Sequence, residues 1–232
     1  MSQQELERTI VVDSSSIITI SDNCMIKVVR NLAQISGIKF VLPESVYEES
    51  VVRPLSIKRY ELNAVRIKDA VQDGYISVVR TTQSVARAMD EIGEASDRIC
   101  TAGGKALKLI QRGETEALAL ANELGVKTVL VDERTTRMLV EEPQNMHGVL
   151  ERRHERKIVI NPDAAHRFMG MFENFKIVRS VELIALAYES GAFGEELHKS
   201  REALEASLWA AKYAGCAVSE DEIRKYMATV AK

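Results

Sequence analysis

The chain has 232 residues, of which 46% are hydrophobic and 28% are charged, as expected for a globular protein with a substantial core. Its formal net charge of −3 provides no overall attraction for nucleic acid, so any polyanion contact would need a local group of Lys and Arg side chains. Three scattered cysteines, a polar start and the lack of a long apolar run argue against a disulfide framework, a signal peptide and a membrane span. These features predict a cytoplasmic protein.

The first part of the chain alternates short β-branched runs with amphipathic segments. Thr9–Val12 is the first run, and it predicts a strand that is buried on both faces. Three serines follow it and suit the start of a helix that we predict to run to about residues 29–35. A second strand is predicted at residues 38–42, and Pro43 suits the first turn of a helix that carries Glu49.

The next elements continue this alternation as far as residue 131. We predict a helix at residues 63–71, a strand at 75–79, a long helix from 81 towards 100, and a further helix at 105–111 after a Gly-Gly break. A helix then runs from Gly113 to a C-cap at Gly125, and a strand follows at residues 126–131. Strands and helices joined by short links predict an α/β domain with a mostly parallel central sheet.

Beyond residue 140 the pattern changes to a charged stretch and then to helices. A short strand is predicted at residues 158–160, two amphipathic helices at 178–190 and 195–214, and a last short helix from Glu220. Trp209 and Tyr213 have the spacing of a pair in the core of a helix. We expect this helical C-terminal extension to pack on the sheet.

Four acidic residues stand where these elements meet. Asp13 and Asp132 end predicted strands, and Glu49 and Glu116 lie on early turns of predicted helices. Parallel strands end at a shared edge, so these side chains are expected to converge there. Two carboxylates about 4 Å apart repel by roughly 4 kcal/mol at an effective dielectric near 20, so a cation or raised pKa values must relieve the repulsion. The pattern therefore predicts a site for a divalent metal ion, Mg²⁺ or Mn²⁺.

Each assignment has an alternative. The acid after the first strand could cap a helix, and the acid of the Pro43 helix could be a solvated surface residue. Glu114 and Glu116 flank opposite borders of the apolar stripe on their helix, so geometry alone does not choose between them. Either Asp132 or Glu133 could be the ligand after the later strand, and Asp132 is preferred because it ends the strand directly.

These motifs together resemble the PIN-domain ribonuclease superfamily. Ile-Val-Val-Asp13-Ser-Ser is similar to its first-strand motif, and Pro-Glu-Ser-Val-Tyr-Glu-Glu49 is similar to its second acidic motif. Gly-Glu-Thr-Glu116-Ala-Leu-Ala-Leu-Ala is similar to the third, and Leu-Val-Asp132-Glu-Arg to the fourth. The resemblance covers about residues 9–140. It implies that these four acids hold the metal and perform the catalysis, and it favours Glu116 over Glu114.

The resemblance also implies a domain organisation and a function. Residues 1–140 would form the PIN-like core with the acidic site, and residues 141–232 would add an insertion, to about 178, and closing helices on the same domain. The family implies a metal-dependent endonuclease of RNA, often homodimeric, that acts in RNA processing or as a toxin inhibited by an antitoxin protein. Mg²⁺ or Mn²⁺ suits this chemistry because it can activate water and stabilise the leaving oxygen of a phosphodiester.

A basic segment at residues 152–157 has two interpretations. Its side chains could contact an RNA backbone, or they could form a solvated helix face paired with Glu151 and Glu155. An alternative function is a non-catalytic RNA- or protein-binding module on the same fold. A haloacid-dehalogenase-like phosphatase is disfavoured because Ser15 stands where a second Asp is expected, and no phosphate-binding Gly-x-x-x-x-Gly-Lys loop is present.

Overall fold

The structure, a computed structural model, describes residues 2–197 and 200–230. The strands in these residues are β1 Thr9–Val12, β2 Lys39–Pro43, β3 Ile76–Val79, β4 Cys100–Ala102, β5 Lys105–Ala106, β6 Thr128–Leu130, β7 Ile158–Ile160 and β8 Lys176–Val178. The helices are α1 Gln3–Glu7, α2 Ser14–Asp22, α3 Ile26–Ser36, α4 Glu44–Tyr47, α5 Glu61–Gln72, α6 Gln83–Asp97, α7 Arg112–Leu124, α8 Arg134–Glu141, α9 His147–His154, α10 Pro162–Met171, α11 Ser180–Glu189, α12 Gly194–Leu197, α13 Arg201–Ala214 and α14 Glu220–Thr229. Glu48–Val52 forms a π-helical turn after α4, and Pro54–Ser56 and Pro143–Met146 form 3₁₀ turns.

The central sheet has five parallel strands in the order β3-β2-β1-β6-β8. The chain adds β2 and β3 on one side of β1, and then β6 and β8 on the other. The strand order therefore reverses between β1 and β6, and such a switch point leaves a crevice at the carboxyl ends of the two strands. The predicted α/β class, with a mostly parallel sheet, flanking helices and a helical C-terminal extension, is confirmed.

Both faces of the sheet are covered, which explains why all four residues of β1 are buried. Ile10 and Val12 of β1 pack in a core with helices α2, α3, α5, α11, α13 and α14. Val11 points to the opposite core, which contains side chains of α6, α7, α8, α9 and α10. A strand buried on two faces favours apolar side chains until it ends. The first polar side chain after β1 is that of Asp13.

The C-terminal part of the chain contributes both a strand and helices to this fold. β8 pairs with β6, so a strand lies where the sequence predicted only the start of a helix at residue 178. Arg179, which precedes α11, is buried, donates to the carbonyl oxygen of Ala217 (2.7 Å) and pairs with Glu222 of α14 (3.0 Å). This ion pair holds the last helix against the sheet. The division of the chain at residue 140 stays a prediction.

A second, three-stranded antiparallel sheet corrects one prediction. A helix was expected at residues 105–111, but β4 and β5 form a hairpin there, and β4 also pairs with β7. The two glycines of the turn have positive φ angles, 57° at Gly103 and 77° at Gly104. Positive φ at both turn positions is what a two-residue hairpin requires, so the Gly-Gly pair connects two strands instead of separating two helices.

Three helix predictions also need correction. The long helix after Asp13 is divided into α2 and α3 by Cys24, whose φ of 59° breaks the helical path. The helix predicted at residues 195–214 is divided between α12 and α13, and residues 198–199 lie outside the described residues. Trp209 and Tyr213 stack at 5.9 Å, but Tyr213 is 75% exposed and is therefore not part of the core. Among the helices that the structure describes, none is long and apolar enough to cross a membrane.

Candidate active site

Asp13 lies at the carboxyl end of β1, beside the switch point. Its backbone N–H donates to the carbonyl oxygen of Leu130, which continues the pairing of β1 with β6 for one further residue (2.9 Å). Its Oδ2 caps helix α2 by accepting from the N–H (3.0 Å) and hydroxyl (2.6 Å) of Ser15. Its Oδ1 is buried and accepts no hydrogen bond from any described residue. The helix cap therefore uses one oxygen and leaves the other unsatisfied.

Glu49 approaches Asp13 across Gly113. Val46 is fully buried and anchors α4, and Glu49 projects from the π-helical turn that follows, where its side chain is exposed. A Cβ atom added to Gly113 would lie 3.2 Å from Glu49 Oε2 and 3.6 Å from Asp13 Oδ1. The two carboxylates thus converge on the space that the missing side chain of Gly113 leaves open.

Glu114, the next residue on α7, is buried beside this pair. Its Oε2 accepts from the N–H of Gln111 at 2.6 Å, as in a capping box at the helix start. Burial is the main cause that raises the pKa of Glu114 to about 7, and the negative charges of Asp13 and Glu133 raise it further, against the Gln111 hydrogen bond. For Asp13 too, burial raises the pKa, with an added contribution from the charge of Glu49. Asp13 therefore lies close enough to both Glu49 and Glu114 for their negative charges to repel.

Glu133 is the second acid whose negative charge raises the pKa of Glu114. It is the N-cap of α8, and its Oε2 accepts from the N–H of Thr136 (3.1 Å) and from the N–H of Thr135. Its Oε1 accepts from the hydroxyl of Thr135 (3.1 Å) and from Nη1 of Arg153 (3.3 Å). Glu133 therefore borders the site while it also stabilises the start of a helix.

Glu116 is held by two donors, Ser45 and Thr81, which line the same pocket as Glu49 and Gly113. Its Oε2 accepts from the N–H of Ser45 at 3.0 Å, and its Oε1 accepts from the hydroxyl of Thr81. Ser45 follows β2 and Thr81 follows β3, so this buried carboxylate ties α7 to the ends of both strands. Both of its oxygens have protein donors.

Asp132 is also fully paired with protein donors. Its Oδ1 accepts from the N–H of Ser180 (2.7 Å) and its Oδ2 from the hydroxyl of the same residue (2.8 Å), at the first residue of α11. Its own N–H donates to the hydroxyl of Ser15 (3.1 Å), and its carbonyl oxygen accepts from the N–H of Ala217 (3.0 Å). Of the four acids selected from the sequence, the structure brings Asp13 and Glu49 together at Gly113, and the carboxylates of Glu116 and Asp132 accept hydrogen bonds from protein donors.

This arrangement predicts a structural effect for Asp132→Ala. The N–H of Ser180 would lose its acceptor in a buried position, so we expect the free energy of unfolding to fall by about 2 kcal/mol. Urea unfolding followed by circular dichroism measures the change. Asp73→Ala, at an exposed carboxylate, is the control and should shift the free energy of unfolding by less than about 0.5 kcal/mol. Equal stability of the two variants would contradict a structural role for Asp132.

The carboxylates do not form a finished coordination sphere. In residues 2–197 and 200–230 there is no group of three or more His, Cys, Asp or Glu side chains placed so that it could hold a metal ion. The unsatisfied Oδ1 of Asp13 and the hard oxygen donors around it do fit a divalent cation such as Mg²⁺ or Mn²⁺.

Comparison with known protein families decides the identity of the domain. A family model described as a PIN domain matches residues 9–152, which is more than half of the chain. The chain belongs to the PIN-domain family. PIN domains are generally nucleases, and they typically use divalent metal ions. Searches among curated proteins and among solved structures found no match to this PIN-domain protein.

In this PIN domain, Glu114 and Glu133 were only the alternatives to the acids preferred from the sequence, and Ser15 was not selected for the site. Glu114 stands three residues after Gln111, and this capping-box spacing places it against the helix start. Glu133 precedes two threonines whose N–H groups it caps, which is a helix-start pattern as well. Ser15, which bonds both the carboxylate of Asp13 and the backbone of Asp132, had no sequence signal because its second partner is 117 residues away.

Proposed function

We propose that this PIN-domain protein is a metal-dependent endoribonuclease that hydrolyses RNA phosphodiester bonds with Mg²⁺ or Mn²⁺. One observation carries the proposal: Asp13 Oδ1 is buried without a donor, at the switch point of a parallel sheet, beside the carboxylate of Glu49. A buried carboxylate oxygen without a partner is costly, and a cation is the ligand that would satisfy it.

The proposed metal ligands are Asp13, Glu49 and Glu114, with Glu133 as a fourth acid at the border of the site. This set differs from the sequence prediction at two places. Glu116 is proposed to position α7, and Asp132 is proposed to position α11, because their oxygens already accept hydrogen bonds from protein donors. The electrostatics support the new set, since a divalent ion would favour the charged form of Glu114, whose pKa is raised to about 7 mainly by burial and further by the charges of Asp13 and Glu133.

The residues of the site would have separate roles in binding and orienting the metal ion. A divalent ion held at this site supplies Lewis-acid chemistry for an in-line phosphodiester hydrolysis. Ser15 holds Oδ2 of Asp13 in a fixed orientation, so that Oδ1 faces the site. Gly113 keeps the space between Asp13 and Glu49 open. The N–H of Gln111 orients Glu114 through a hydrogen bond to Oε2.

Metal binding is the direct test of the ligand set. We expect Mn²⁺ to raise the melting temperature of the wild-type protein, because a ligand at 100 times its Kd stabilises the folded state by about 2.7 kcal/mol. The shift should be reversed by EDTA, absent in Asp13→Asn, and retained in Asp73→Asn. Differential scanning calorimetry over a Mn²⁺ series measures it. A wild-type protein that does not respond to Mn²⁺ would speak against a metal-dependent enzyme.

The alternative is a non-catalytic RNA- or protein-binding module on the same fold. The observation that favours it is that no three acids of the described chain are placed as a finished metal site. Such a module would bind its partner equally well with EDTA and with Mn²⁺, and it would leave RNA intact in both.

The family resemblance also predicts protein partners, namely a second copy of the chain and an antitoxin. A homodimer stays a prediction, and light scattering after size-exclusion chromatography measures it. A toxin role would require an antitoxin protein, which co-purification with the product of an adjacent gene would detect. The cytoplasmic location likewise stays a prediction.

A further inference from the structure

A cavity of about 270 Å³ lies directly beside the acids Glu114 and Glu133. Its charged residues are of both signs, because Lys108 and Arg153 line it together with those two acids. Gln111, Thr135 and two leucines provide the rest of its lining. The volume exceeds that of a phosphate group, and the cavity opens at the border of the proposed metal site.

The two cations on this cavity are available to bind an anion. Lys108 is exposed and forms no ion pair within the described residues. Arg153 uses only Nη1, which donates to Glu133 Oε1 and to the hydroxyl of Thr135, both at 3.3 Å. In the part of the chain that the structure describes, its Nε and Nη2 donate no hydrogen bond. Its side chain is 62% exposed, and such ion pairs contribute only about 0–1 kcal/mol, so Arg153 can exchange partners at little cost.

The fold separates Arg153 from the other basic side chains of residues 152–157. Leu150 is buried in the core below α9, and Arg153 follows it by three residues on the same helical face. This anchor directs Arg153 to the cavity. Arg152 is exposed and does not line the cavity, and the same holds for Lys157. Of the two interpretations of the basic segment, contact with RNA therefore applies to Arg153, and a solvated surface applies to Arg152 and Lys157.

We infer, resting on the proposed nuclease function, that Lys108 and Arg153 form a phosphate clamp, which binds a backbone phosphate of the RNA beside the metal-binding acids. A guanidinium with two free donor nitrogens, Nε and Nη2, can bind two phosphate oxygens at once, and a lysine adds a compact charge. Two cations here also reduce the repulsion between RNA and the carboxylates. Arg153 is thus a positioning residue for the substrate.

Binding without turnover tests the phosphate clamp separately from catalysis. Fluorescence anisotropy would follow a fluorescein-labelled single-stranded RNA with the full-length protein in EDTA, and again in Ca²⁺, over a series of salt concentrations. We expect Lys108→Ala and Arg153→Ala each to weaken binding roughly ten-fold and to lower the slope of log K against log salt by about one. Arg153→Lys should keep the slope and lose part of the affinity, because it retains the charge but not the fork of donors.

The matched controls are Arg152→Ala and Lys157→Ala, which remove the same charge outside the cavity. They should bind RNA within about two-fold of the wild type at the same salt slope. An equal loss in Arg152→Ala and Arg153→Ala would overturn the clamp, since it would show a general effect of charge. Absence of RNA binding by the wild type in both EDTA and Ca²⁺ would overturn it as well.

Kinetics in Mn²⁺ distinguish the failure of this inference from the failure of the proposed function. If the clamp is correct, Arg153→Ala raises KM for RNA more than it lowers kcat, and Arg153→Lys recovers part of the loss. If RNA is cleaved by the wild type and by both clamp variants with equal KM, the clamp is wrong and the nuclease function stands. If the clamp variants lose RNA binding but no variant or wild type cleaves RNA, the binding surface stands and the nuclease function is wrong.

Discussion

Asp13→Asn is expected to lower metal-dependent RNA cleavage by about 100-fold or more, because it removes a ligand charge from the centre of the site. The asparagine keeps the shape of the side chain and can still accept from Ser15. The fold should be preserved, since burial already raises the pKa of Asp13 and thus disfavours its charged form. Initial rates on a single-stranded RNA with Mn²⁺, with melting temperatures measured in parallel, provide the test.

The control for this prediction is Asp73→Asn, which removes an exposed carboxylate at the end of α5. It should cleave RNA at the wild-type rate. An Asp13→Asn protein that is folded and cleaves RNA as fast as this control would refute the proposed function, because no other described carboxylate oxygen in the site is both buried and unsatisfied.

Glu114→Gln is expected to reduce RNA cleavage, and Glu116→Gln is expected to reduce stability. The first should lower RNA cleavage by about 100-fold, because Glu114 lies close enough to Asp13 for that negative charge to raise its pKa. The second should keep cleavage within about ten-fold of the wild type, because both oxygens of Glu116 already accept hydrogen bonds from protein donors. Glu116→Gln should instead lower the free energy of unfolding by about 1–2 kcal/mol, since it weakens the hydrogen bonds to Ser45 and Thr81. Cleavage assays and urea unfolding of the same two variants separate catalysis from stability.

The difference in stability between Glu114→Gln and the wild type should depend on pH in a defined way. The pKa of Glu114 is raised from 4.5 to about 7, so between these values the folded protein retains a proton that the unfolded chain releases. Stability of the metal-free wild type therefore falls as pH rises through this window, by about 3 kcal/mol at roughly 1.4 kcal/mol per pKa unit. Glu114→Gln lacks this loss, so in EDTA it should be more stable than the wild type at pH 8 and equal to it near pH 4.

Urea unfolding in EDTA at both pH values measures the difference. Glu116→Gln is the internal control and should show no gain of stability at pH 8. If instead Glu116→Gln lost activity and Glu114→Gln retained it, Glu116 would return to the metal site as the sequence motif suggested.

The strands and most helices could be predicted because their signals are local. β1 and β6 are continuous β-branched runs, and α7 ends at Gly125, whose φ of 72° is the left-handed cap that its sequence indicates. β8 was missed because three residues carry too little periodicity to separate a strand from the helix that follows. The hairpin of β4 and β5 was missed because a Gly-Gly pair breaks helices and turns strands equally well.

The order of acids along the chain predicted the region of the site, because strands that end at one edge bring their following residues together. Asp13 followed from this rule alone. The choices between Glu114 and Glu116, and between Asp132 and Glu133, depend on where the side chains point. Ser45 and Thr81 donate hydrogen bonds to Glu116, and Ser180 donates to Asp132. These donors are 35 to 71 positions away in the chain from the acids that they bind.

The sequence by itself determined the alternation of strands and helices, the parallel sheet, and the edge where the acids gather, since apolar runs and their polar ends are properties of neighbouring residues. Only the tertiary structure showed which carboxylate oxygens accept hydrogen bonds from protein donors and which one is buried without a donor. A buried carboxylate accepts hydrogen bonds from whichever donors the fold places beside it, and those donors come from distant segments. The unsatisfied oxygen of Asp13 and the direction of Arg153 are therefore properties of the packed molecule.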